Sequence, residues 1–153
     1  MNKTIPIMIS DFSEEFEGVD SEGIVLLTKE QASQVWQKYI DEKATSYFRL
    51  PDDNWIIKSE QVIIGEWLSD FNKNRSQETK AKLDSSILWS DNNTVWFCIS
   101  KALVIETSWY DFKRLWMNFL ECEDDGPILL NSKEVNCALL FFSIGNIVKV
   151  EAS

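Results

Sequence analysis

"TVWFCISKALVIETSWYDFKRLWMNFL", Thr94 to Leu120, changes its hydrophobic period part-way through, and that change decides the fold class. "TVWFCIS" (94–100) and "ALVIET" (102–107) are nearly continuous in apolar or β-branched residues, the pattern of strands buried on both faces. Ser108 then opens a capping box with Asp111, in which a hydroxyl satisfies an orphan amide of the first helical turn. Trp109, Phe112, Leu115, Trp116 and Phe119 recur at the helical period. The expected helix turns this aromatic stripe to the core, with Lys113, Arg114 and Asn118 facing elsewhere. A stripe of this kind is core, not a base-stacking platform.

Downstream, "GPILL" and "CALLFFS" read as strands, and "IGN" supplies a Gly-containing turn into "IVKVE", a C-terminal hairpin. The order strand–strand–helix–strand–strand–strand predicts an α+β fold, with helices packed on a largely antiparallel β-sheet. Upstream, "TKEQ" (28–31) fits a second capping box, and Ala32, Val35, Trp36, Tyr39 and Ile40 give the helix after it one apolar face. A further helix is expected from near Ser59, with Ile63, Ile64, Trp67, Leu68 and Phe71 on its buried side. "TIPIMI" reads as an edge strand, because Pro6 has no amide to give a ladder. Asn72 to Ser86 is the most polar stretch and reads as a helix end plus loop. No repeat and no Pro/Ser/Gly-rich linker interrupts the chain, so residues 1–153 are expected to form one compact domain.

Composition narrows the function. The apolar fraction of 44% supports a real core, and seven Trp with nine Phe make it aromatic. The longest apolar run, "CALLFF", is too short for a bilayer, and "MNKTIPIMISDF" lacks the pattern of a secretion signal, so a cytoplasmic location is expected. Cys98, Cys122 and Cys137 are odd in number and have no metal-ligand spacing, which predicts free thiols. Histidine is absent, and with it Ser-His-Asp and Cys-His catalysis, His-ligated zinc and the ordinary neutral-pH proton shuttle. No Gly-rich phosphate loop occurs either. The expectation is a protein that is no enzyme and carries no cofactor.

The net charge of −10 disfavours nucleic acid and anionic membranes and favours a basic protein partner. That charge is concentrated at two places. Residues 1–30 hold two bases and seven acids, and residues 121–153 hold two bases and six acids. Within the first, Asp11, Glu14, Glu15, Glu17, Asp20 and Glu22 occur with no Lys or Arg among them. Within the second, "ECEDDGPILL" packs Glu121, Glu123, Asp124 and Asp125 against the expected end of the aromatic helix, with Gly126 and Pro127 as its stop. Acids at the negative end of a helix dipole cost about 0.3–1 kcal/mol, so this cluster runs against local stability, as functional sites do. It does not follow the alternating-acid pattern of an EF-hand, and no metal site is expected. These ten acids are the expected partner-binding residues, with Trp55, near a turn in "RLPDDNWIIK", as the aromatic anchor.

The block "DNNTVWFCISKALVIETSWYDFKRLWMNFLECEDDGPILL", residues 91–130, resembles an uncharacterised bacterial family, a domain of unknown function. An Asp-Asn turn, consecutive aromatics, "VIET", a Trp/Phe helix and "DDGPIL" recur in that order, with looser agreement at "IPI" and in the helix of residues 28–40. The resemblance implies a small cytosolic fold and supplies no catalytic residues. In physical character the chain is similar to immunity proteins, the antidotes to secreted toxins in contact-dependent growth inhibition. The expected function is therefore an immunity protein that neutralises a basic, nuclease-type toxin by electrostatic occlusion. The alternative is a housekeeping cytosolic module that binds a small ligand or another protein.

Overall fold

The computed structural model describes residues 4–152 and places the opening stretch in the middle of one sheet. The strands are β1 (Thr4–Pro6), β2 (Val25–Leu27), β3 (Gln61–Glu66), β4 (Thr94–Ser100), β5 (Leu103–Ser108), β6 (Ile128–Asn131), β7 (Glu134–Phe141) and β8 (Asn146–Glu151). The helices are α1 (Lys29–Tyr39), α2 (Trp55–Lys58), α3 (Leu68–Asn72), α4 (Gln77–Ser86), α5 (Trp109–Arg114) and α6 (Trp116–Cys122). The eight strands run in the order β1-β2-β5-β4-β6-β7-β8-β3, and each neighbouring pair is antiparallel. The fold is α+β, as the order of elements predicts.

Alternation along the strands explains their continuous apolar runs. Phe97, Ile105, Leu129, Leu139 and Phe141 face one layer with Trp109, Phe112, Trp116 and Phe119 of α5 and α6 and Leu83 of α4. Cys98, Val104, Ile128, Leu130, Ala138 and Leu140 face the other layer, with Ala32 and Trp36 of α1 and Ile56 of α2. A sheet covered on both faces has no solvated side to mark with polar residues. Cys98 and Cys137 are buried, Cys122 is half-buried, and all three are free thiols. Burial pushes each thiol up, that of Cys137 to about 11.

The capping box at Thr28 forms in both directions. Thr28 Oγ1 accepts from Gln31 N at 3.2 Å, and Gln31 Oε1 accepts from Thr28 N at 3.1 Å. Thr28→Ala should cost about 1 kcal/mol, read as a lower urea midpoint with an unchanged slope.

Four expectations need correction. The helix expected from Ser59 is instead β3 followed by the short α3. Val62, Ile63 and Ile64 are β-branched, Ser59 is extended, and Gly65, costly inside a helix, sits at a bulge against β8. Only Trp67, Leu68 and Phe71 of the expected stripe belong to the α3 end of this segment, and Ile63 is exposed. Second, the aromatic helix breaks at Leu115 (φ −120°, ψ 24°) into α5 and α6, although its stripe still faces one layer. Lys113 does not face solvent: it is 6% exposed, and its ammonium meets Asp84 and, at 2.8 Å, Asp91. Third, the polar stretch 72–86 carries a full helix, α4, anchored by buried Thr79 and Leu83. Fourth, α6 ends at Cys122, with Glu123 already extended. Gly126 is therefore not its cap. It takes a left-handed φ of +90° and donates its N–H to Phe141 O at 2.7 Å, closing the turn into β6.

Candidate functional site

The acids of residues 11–22 are turned outward by the apolar residues between them. Phe12, Phe16 and Val19 pack against the aromatic layer, with Phe16 edge-on to Phe119 at 5.0 Å. Asp11, Glu14, Glu17, Asp20 and Glu22 are left exposed and Glu15 half-buried. Two side chains from the helices hold the loop's backbone. Asn118 donates to Glu15 O at 2.9 Å and Arg114 to Asp20 O at 2.7 Å. The polar residues on the far side of the aromatic stripe thus serve as anchors for the acidic loop.

At the end of α6, Glu121 and Asp124 are exposed, and Glu123 and Asp125 are half-buried. Part of this cluster is structural. Glu123 Oε2 accepts from Asp125 N at 3.3 Å, and Asp125 Oδ1 accepts from Ser143 N at 3.0 Å, tying the turn to the β7–β8 connection.

The two acidic segments meet at Glu15. It lines a shallow depression of about 390 Å³ together with Glu121, Glu123 and Asp124, over a floor of Phe71, Leu120 and Cys122. Glu15 Oε1 is shielded from solvent and has no hydrogen-bond partner among the described residues. The negative field registers on Cys122, whose thiol is pushed up by burial and further by Glu15 and Glu121. Asp20 and Glu22 lie elsewhere, beside Pro6, Met8 and Val19 at a second depression of about 510 Å³. Seven ion pairs form among the described residues, and none uses any of the ten acids of the two segments.

Trp55 is not part of this surface. It packs with the α1 layer on the opposite face of the sheet, half-buried, and its indole N–H donates to Tyr39 O at 2.9 Å. An exposed aromatic beside the turn that follows these acids is Phe48, on the single-turn helix Tyr47–Arg49, 63% exposed. Its ring lies so close to Gly126 that a Cβ there would stand 2.7 Å from Phe48 Cε2. Sequence reasoning missed it because the contact joins residues far apart in the chain. A Phe within the polar run "TSYFR" was the available signal.

A family model covers both acidic segments except Asp11, matching residues 12–150. The chain belongs to DUF2947, a family of proteins of unknown function. Comparison with curated proteins and with solved structures finds no match. The DUF2947 match extends well beyond the block of residues 91–130, from the acidic loop through α1 to β8. Among the described residues of this DUF2947 chain, no helix is long and apolar enough to cross a membrane, and no three His, Cys, Asp or Glu converge as a metal ion requires.

Proposed function

We propose that the chain binds a basic protein partner, without turnover, on the surface where Glu15 meets Glu121, Glu123 and Asp124, with Phe48 as the neighbouring apolar contact. One observation carries this reading: the described ion pairs all use other carboxylates, so both acidic segments keep their charge available. Clustered charge of one sign speeds encounter with the opposite sign and makes that rate depend on salt. In its finer form the partner is a nuclease-type toxin and the chain its immunity protein. A cleft lined with Lys and Arg for a phosphate backbone is the surface such carboxylates would fill.

The test starts from the partner cross-linked and isolated from the producing cell. Association of the purified pair should slow steeply as salt rises. Substituting Glu15→Gln, Glu121→Gln, Glu123→Gln and Asp124→Asn together should weaken it about tenfold or more and flatten the salt slope. Asp125 is left in place because it holds the turn. Unchanged affinity and slope, or a partner that is itself strongly acidic, would overturn the proposal. Growth rescue by co-expression would decide between a toxin and another basic protein.

A further inference from the structure

The two ends of the sheet are guarded very differently. At one end β1 is three residues long and finishes at Pro6, which lacks an N–H to offer a further strand. At the other end β3 is six residues, "QVIIGE", paired with β8 on one side only. It contains neither Pro nor Lys, the usual guards of an edge. Its single irregularity is the bulge near Gly65.

The exposed apolar residues on β3 lie on both faces of the sheet. Val62 and Ile64 line a small depression with Ser86 of α4, and Ile63 points the other way by the alternation of a strand. Val62 is 45% exposed and Ile63 63%. A helix or loop docked on one face would cover only one of them. A strand added at the edge would cover both and also satisfy the edge's free backbone groups.

The charge around this edge suits a second copy. Lys58, Lys82 and Lys149 balance Glu60, Glu66 and Glu151, so the net charge there is zero (three minus three). Asp20 and Glu22 flank Pro6 at the opposite edge, seven strand spacings or about 33 Å along the sheet. That is several screening lengths at physiological salt. Antiparallel pairing with Val62 opposite its own copy sets Gln61 against Ile63 and Glu60 against Ile64. The acidic Glu60 of each copy thus lies across from an apolar residue and not from another acid, so the pairing sets no like charges opposite each other.

We infer that β3 is the interface of a two-fold homodimer, in which two eight-stranded sheets join edge to edge through antiparallel β3 strands. A six-residue edge, about 20 Å long, makes a small interface, so the association is reversible and concentration-dependent. It is independent of the acidic surface and of the partner proposed for it.

Sedimentation equilibrium of the full chain tests this. The average mass should rise with concentration from one chain toward two. Val62→Lys and Ile63→Lys should each move the midpoint about tenfold or more upward, since each removes apolar burial and sets like charges near the two-fold axis. Both sites are largely exposed, so circular dichroism should show both variants folded. Tyr110→Lys, on the exposed side of α5, should leave the midpoint alone. Amide exchange at Val62 should slow as concentration rises. A single-chain mass at every concentration, a dimer indifferent to both edge variants, or unprotected β3 amides in the dimer would overturn the inference.

Discussion

Replacing Asp84 and Asp91 together by Ala is expected to destabilise the fold by about 3–5 kcal/mol, whereas Lys113→Met should cost under about 2 kcal/mol. The asymmetry follows from where each charge sits. Lys113 is buried against the Trp109 ring, its Nζ 5.3 Å from the ring centroid, while both carboxylates reach solvent. Removing the carboxylates strands a buried ammonium. Removing the ammonium leaves two acids that water can solvate. Equal losses in the two variants would contradict this account.

The same cluster sets a pH window. The Lys113 hydrogen bond holds the Asp84 carboxyl below its usual 3.8. Its contribution is therefore present above that value and lost as pH falls through the lower folded value. Burial alone would pull the Lys113 ammonium down, but the hydrogen bonds it donates to Asp84 and Asp91, together with their charges, outweigh it and hold it above the usual 10.5. Its contribution is full below 10.5 and lost as pH rises through the folded value. Urea midpoints should fall as pH drops below 3.8, with part of that fall missing in the double variant, and should fall again as pH rises past the ordinary thiol value of 9.0, because the three thiols stay protonated in the fold.

Phe112→Ala should cost about 3–5 kcal/mol, the range for an aromatic cut out of a packed core. Phe112 has ring neighbours on three sides: Phe119 at 4.9 Å, Phe141 of β7 at 5.8 Å and Phe97 of β4 at 5.9 Å. Trp109 stacks nearly parallel at 6.0 Å. With strands and helices converging on one ring, the neighbours cannot close the void without shifting the sheet. Denaturant unfolding measures the loss, and a cost below about 1.5 kcal/mol would show that the layer relaxes. Arg114 and Asn118 hang from the same helices, so amide exchange in the acidic loop should also accelerate.

The central sheet was legible because its strands are buried on both faces. "TVWFCIS", "ALVIET" and "CALLFFS" need no tertiary information to be recognised. β3 was not legible, because at a sheet edge its side chains lack the contrast of buried and solvated positions. Val62, Ile63, Ile64, Trp67 and Phe71 then fit a helical stripe nearly as well as a strand. The break at Leu115 has no Gly or Pro to announce it. The packing of Lys113 against Asp84 and Asp91, residues distant in sequence, accompanies it. At the candidate site, the acids themselves were plain. Their meeting at Glu15 depends on Phe16 seating beside Phe119, a contact across a hundred residues that no local pattern encodes.

The five middle strands, β5-β4-β6-β7-β8, come from one contiguous stretch, Thr94 to Glu151, and are joined through short connections or one helical excursion. The outer strands β1, β2 and β3 are all encoded earlier. Loop closure favours pairing among near neighbours, so the meander can zip first. Translation delivers the pieces in the reverse order. The rim emerges from the ribosome before the hub, and β2 and β3 must wait for the later half to supply β5 and β8 as their neighbours.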